Sequence, residues 1–274
     1  MNIHPMKKRH AGFTLVEILV SIAIIAALTS VGVVGFQNAR EKSKSVVEVN
    51  AARNLISGYI LHATDHNGQV LAGYKMDPDA TDLDGNLLHN PTNARYPYRL
   101  APSLPQIKGT MFFNGNESLL EGSDGAYIAS LRPNMGINAN LVGGFYGGET
   151  LLDPSAGRLS QLYGKFYVSH MAEVNDPGKL IVFASARDKE KKVGYFQVRP
   201  PKMMENVWSS GEFTKDKPAT DHGYVDFRFN GKAVVVMIGG NVEMLDEKEL
   251  RDMRRWSNQA SVENDPDFTL RAKR

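Results

Sequence analysis

Residues 13–36, FTLVEILVSIAIIAALTSVGVVGF, form a 24-residue apolar run whose one charged side chain is Glu17. A membrane-spanning helix needs ~20 residues, so the run is long enough to span. Past Phe36 the chain turns polar but stays periodic. Val46, Val49, Ala52, Ile56, Tyr59, Ile60 and Ala63 recur at spacings of three and four, the apolar stripe of an amphipathic helix. No proline occurs between Met6 and Asp77, so the pattern predicts one helix from near Phe13 to a stop at His66-Asn67-Gly68. Arg40, Glu41, Lys42 and Lys44 fall where the all-round apolar half gives way to the one-sided half.

Beyond the helix the pattern changes. Residues 77–160 are rich in Pro, Gly, Asn and Asp and predict loops with short strands. Strand signals follow at Phe166–Ser169, Leu180–Ser185, Val193–Val198, Tyr224–Phe229, Lys232–Ile238 and Asn241–Leu245. Gly239-Gly240 suits a tight turn between the last two. Asp246-x-x-Glu249 has the form of a capping box and predicts a helix through Gln259. The expected fold is α+β: a long N-terminal membrane-spanning helix packed on an antiparallel sheet, with a loop-rich insertion. The expected divisions are a basic leader (1–12), a transmembrane helix (13–36), its amphipathic continuation (37–66), a globular domain (67–262) and a loose tail (263–274).

Composition narrows the function. With 23% charged residues and a net charge of +2, the chain is neither a strongly basic nucleic-acid binder nor an acidic disordered tail. Lys7, Lys8 and Arg9 precede the apolar run with no acid among the first twelve residues, so a chain lacking those twelve carries a charge of about −1. The basic residues place the N-terminus of a membrane-inserted precursor on the cytoplasmic side. There is no cysteine, which excludes disulfides and a lipoprotein anchor.

Glu17 carries the most chemical information. A carboxylate at bilayer depth costs ~2.5–3.5 kcal/mol or more and calls for a partner. One reading is a charge near the membrane edge that reaches water. Another uses Gly12. If the bond after Gly12 is cut, Phe13 becomes a positively charged terminus, and Glu17 lies four residues on, on the same helical face. Between neighbouring helices, the carboxylate of one and the amine of the next would neutralise each other where an unpaired charge is expensive. A cleavable secretory signal has a shorter core of ~7–15 residues with the cut behind it, and a plain anchor has no need of Glu17.

The stretch KKRHAGFTLVEILVSIAIIAAL resembles the signature of type IV prepilins and type II secretion pseudopilins. The matching elements are the basic leader, Gly12 before the cut, Phe13 after it, and Glu17 at the fifth mature position. The resemblance implies cleavage between Gly12 and Phe13 by an inner-membrane prepilin peptidase, N-methylation of Phe13 by the same enzyme, and subunit assembly through Glu17. It also implies identical or related pilin subunits and an inner-membrane assembly machinery as partners. More loosely, YPYRLAP, LRPNMGINANLVGG, LIVFASAR and NGKAVVVMIGGNVEML resemble a group of pilin-like proteins abundant in planctomycete and verrucomicrobial bacteria. Those relatives often carry a His, nine residues, then Asp-Gly. Here the matching positions are Phe229 and Gly239-Gly240, so an activity needing that His or Asp is not expected.

Other candidates weigh less. Asp77, Asp79, Asp82 and Asp84 in DPDATDLDG could wrap a calcium ion, although the spacing departs from an EF-hand, and a solvated acidic turn is the simpler reading. His62 and His66 are one turn apart without an identifiable third metal ligand. The glycines at 136, 143, 144, 147 and 148 are not followed by Gly-Lys-Ser/Thr and suit turns rather than a phosphate loop. Arg251, Arg254, Arg255 and Trp256 could touch single-stranded nucleic acid. Asp246, Glu247, Glu249 and Asp252 dilute that charge and favour a solvated helix face with Trp256 packed inward. The expectation is a filament subunit without catalysis of its own. It starts as a single-pass inner-membrane precursor and ends with its globular domain in the periplasm or at the cell surface. A minor filament-tip or surface-displayed binding protein is the alternative.

Overall fold

The computed structural model describes residues 14–121, 124–147 and 162–272. Within the first helix it describes the backbone, but not the side chains, of residues 27, 28, 30–35, 37 and 38. The chain divides into two compact units, Met1–Ser43 and Lys44–Arg274.

Helix α1 runs without a break over Leu15–Asp65. Its end follows from local chemistry: Asn67 and Gly68 adopt positive φ (56° and 86°), and Gly68 N–H returns to Ala63 O at 2.7 Å. This left-handed stop is open to Gly and Asn at little steric cost. In the Lys44–Arg274 unit the helix buries Ala51, Ala52, Leu55, Ile56, Tyr59 and Ala63. The stripe begins differently from expectation. Val46 is 53% exposed, while Ser45 and Glu48 are buried, because Glu48 meets a cation beneath the helix.

The sheet is an antiparallel meander in the order β1 (Met135–Ile137), β2 (Ile181–Ser185), β3 (Lys232–Met237) and β4 (Val242–Asp246). Residue alternation sorts β3 cleanly. Val234 and Val236 join the core with Leu55, Ile56 and Tyr59 of α1. Ala233, Val235 and Met237 face the other way, onto Trp208, Phe227 and Trp256. In β2 a register shift between Ile181 and Phe183 puts Val182 and Phe183 on the α1 side together, as a bulge does. The expected hairpin is present: Val236 pairs with Val242, and Met237 N–H reaches Asn241 O at 2.9 Å across Gly239-Gly240.

Three expected strands are not strands. Phe166–Ser169, Val193–Val198 and Tyr224–Phe229 make only isolated bridges, such as Val142 to Val168, Ile137 to Gln197 and Ala186 to Val225. Their apolar residues are nevertheless core: Phe166, Val168, Phe196, Val198, Val225 and Phe227 are all buried. Alternation correctly reported burial, while turns such as Gly194 and Gly223, both at positive φ, kept the backbone out of a ladder. β1 lies in the stretch expected to hold loops with short strands. So do the short helices α2 (Tyr96–Leu100) and α3 (Gly125–Leu131), and Met111, Phe112 and Phe113 there are buried.

The C-terminal segment covers the second face of the sheet. The Asp246–Glu249 capping box forms as expected, but it opens only a four-residue helix, α4 (Glu247–Leu250). Asp252 then caps a short 3-10 turn and Ser257 caps α5 (Asn258–Glu263). These side chains offer the backbone new helix starts and so divide the single helix expected through Gln259. The tail is not loose either. Phe268 and Leu270 are buried, and Leu270 N–H bonds Met203 O at 2.8 Å.

Candidate functional site

The head of α1 is where the sequence concentrated its chemistry. Gly12 and Phe13 lie outside the described residues. The next residue, Thr14, caps the helix together with Glu17. Thr14 N–H donates to Glu17 Oε2 at 2.8 Å and Thr14 Oγ1 to the same oxygen at 2.9 Å, while Glu17 N–H donates to Thr14 Oγ1 at 3.2 Å. This is a reciprocal capping box, legible in the sequence as Thr-x-x-Glu, although the sequence reading of Glu17 turned on its charge and not on helix capping. The carboxylate is thereby turned back toward the helix start, onto the amide of the residue that follows Phe13. Further along, Ser21 and Thr29 donate their hydroxyls to the carbonyls of Glu17 and Ile25 at 2.7 and 2.6 Å. Neither hydroxyl therefore needs water.

Around this cap the surface is apolar. Leu15, Val16, Ile18, Leu19, Val20, Ile22, Ile24 and Ile25 all stand exposed. Among the described residues no helix is long and apolar enough to cross a membrane. The span expected over 13–36 falls partly on residues outside that description, namely Phe13 and the side chains of 27, 28 and 30–35.

A second constellation holds α1 to the sheet within the Lys44–Arg274 unit. Glu48, 1% exposed, accepts from Arg228 Nη2 at 2.8 Å and Arg228 Nε at 3.1 Å, and from Ser185 Oγ in β2. Arg228 also reaches Asp226 at 3.2 Å and the carbonyls of Ala186 and Asn134. Burial alone would push the Arg228 guanidinium down; the carboxylates of Glu48 and Asp226 outweigh it and hold its pKa above the usual arginine value. The signal for this site was an acid on the buried face of the helix, three residues before Ala51.

At the far end of α1 the rings of His62 and His66 stack, centroids 4.1 Å apart, and His66 Nδ1–H donates to His62 O at 2.7 Å. Burial, with the neighbouring His66 and Arg99 charges, pushes His62 down to about 4.

The acidic loop takes the form of a hydrogen-bonded turn, the reading that the sequence favoured over a calcium site. Asp77 Oδ1 accepts from Asp79 N–H at 3.0 Å. Asp82 accepts from the amides of Asp84 and Asn86 and from the Asn86 side chain. The carboxylates serve their own turns, and among the described residues no three His, Asp or Glu side chains gather closely enough to hold a metal ion. The basic C-terminal patch is likewise spoken for. Arg251 pairs with Glu247, Arg254 with Asp252 and Arg255 with Glu243, and Trp256 is fully buried.

Comparison with known proteins bears on the same helix head. Residues 7–33 match the family model described as the prokaryotic N-terminal methylation motif. Over 111 residues the chain is 29% identical to "Prepilin peptidase-dependent protein D" of Escherichia coli (strain K12), covering 40% of this chain and 67% of that protein. No solved structure matches the chain. The methylation motif and the similarity to that prepilin peptidase-dependent protein support a type IV pilin- or pseudopilin-like protein.

Proposed function

We propose that the chain is a structural subunit of a type IV pilus-like or type II secretion filament, matured by prepilin peptidase cleavage after Gly12. The observation that carries this reading is the Glu17 carboxylate, bent back to within 2.8 Å of the Thr14 amide. Cleavage would create a positive amine on Phe13, one residue away in sequence. The carboxylate is already held at that end of the helix, ready to receive either its own terminal amine or that of a neighbouring subunit. The apolar run 13–36 carries the precursor into the inner membrane and, after cleavage, packs against other subunits. N-methylation of Phe13 leaves the amine charged and able to donate. The size of the Lys44–Arg274 unit favours a second reading, a minor subunit displayed at the filament tip.

Intact-mass and N-terminal peptide analysis of protein from its native membrane tests the proposal. The expected product begins at Phe13 and carries one extra methyl group. An uncut chain, or one cut behind the apolar run, refutes it.

A further inference from the structure

The polar pocket at the C-terminal end of α1 has no part in filament assembly as proposed above, and its wall holds a half-buried cation, Arg99, that makes no ion pair among the described residues. The pocket has a volume of about 420 Å³ and its lining includes His62, His66, Leu71, Lys75, Asp77 and Arg99. Pockets of ~300–1,000 Å³ are the size that small ligands occupy. Arg99 donates Nη2–H to Ala72 O at 2.5 Å. Its Nε is buried without a hydrogen-bond partner, and among the described residues no carboxylate comes within ion-pair distance of it. Asp77, the acid of the lining, accepts from Asp79 N–H and acts on Arg99 only from beyond ion-pair distance.

A half-buried guanidinium whose Nε–H has no partner is better accommodated when something negative meets it. Its planar fork matches the two oxygens of a carboxylate or phosphate. Lys75 is exposed at the same rim and adds a second positive charge, while the stacked imidazoles of His62 and His66 form the adjoining wall. We propose that this pocket binds a small oxyanion, a carboxylate or a phosphate group, with Arg99 as the anion-binding residue and Lys75 as its electrostatic support.

The test uses the full-length chain, labelled with 15N-arginine, in uncharged detergent micelles at pH 7. Sodium phosphate and sodium acetate are titrated separately, with sodium chloride holding ionic strength constant. The expected result is a saturable shift of the Arg99 Nε–H resonance with one of the two anions, and which anion acts assigns the class. Arg99→Gln should weaken binding by about tenfold or more, read on the His62 and His66 ring resonances, as loss of a charge-assisted pair predicts. If that variant does not fold, Lys75→Gln should weaken binding several-fold. No saturable shift with either anion, or a shift that chloride reproduces, overturns the proposal. So does undiminished binding in folded Arg99→Gln or, failing that variant, in Lys75→Gln.

Discussion

Replacing Glu48 by Gln tests whether the helix is anchored to the sheet by charge or merely by apolar contact. The side-chain volume is nearly unchanged, so packing by Leu55, Ile56 and Tyr59 stays in place. What goes is the negative charge that receives two nitrogens of Arg228 and the Ser185 hydroxyl. Breaking a buried ion pair from one side costs ~3–5 kcal/mol because the other charge is stranded. Arg228 would retain Asp226 at 3.2 Å and two backbone carbonyls, which places the expected loss at the lower end, about 3 kcal/mol. Against a total stability of ~5–15 kcal/mol that is a large fraction.

Urea unfolding of the full-length chain in uncharged detergent measures it. Both tryptophans, Trp208 and Trp256, are buried on the far side of the sheet, so their fluorescence reports unfolding of the Lys44–Arg274 unit without touching the mutated site. The double variant Glu48→Met with Arg228→Met should recover most of the loss, since well-packed apolar replacements of a buried pair are often neutral or stabilising. A Glu48→Gln loss below ~0.5 kcal/mol, within the range of ordinary surface substitutions, would refute the reasoning.

Stability should also fall with acid. Burial holds His62 at about 4 in the folded chain and holds His222 below the ordinary histidine value, against the opposing pull of Glu247. The unfolded state therefore takes up protons first. The stabilisation is complete above ~6.5 and drains away as pH falls toward 4. Urea midpoints at pH 7 and 5 check the sign, and His62→Gln should flatten the slope. Trp256→Ala should cost ~3–5 kcal/mol, the usual range for emptying a large core site. This side chain is fully buried, donates Nε1–H to Leu250 O at 2.8 Å and packs edge-on to Trp208; thermal unfolding reads the loss. Gly143→Ala should cost more than ~1 kcal/mol, because φ is +77° and the added Cβ would lie 2.1 Å from Leu71 O; the urea midpoint checks it.

How much of this was legible in the sequence depended on how local the deciding physics was. The helix stop at Asn67-Gly68, the Gly239-Gly240 turn and the Asp246–Glu249 box each rest on a few adjacent residues, and each formed where expected. The strands at Phe166, Val193 and Tyr224 failed because a strand needs a partner ladder, and periodicity reports only which side chains are buried. Glu48 shows the same limit at a single residue. Its position on the buried face was visible, but its partner lies 180 residues away, and without Arg228 the acid reads as a flaw in the stripe. The acidic loop was also decided locally, and it took the turn that the sequence favoured over a calcium site. Four aspartates close in sequence suggested a shared cation, yet Asp77 and Asp82 satisfied the nearest amides instead. Short-range hydrogen bonds to the backbone cost little chain entropy, so an Asx turn forms before a cage can. The same competition governs Glu17. Its nearest donors are those of its own helix start, and the cap it forms there fixes the carboxylate at the place where cleavage would deliver a charge.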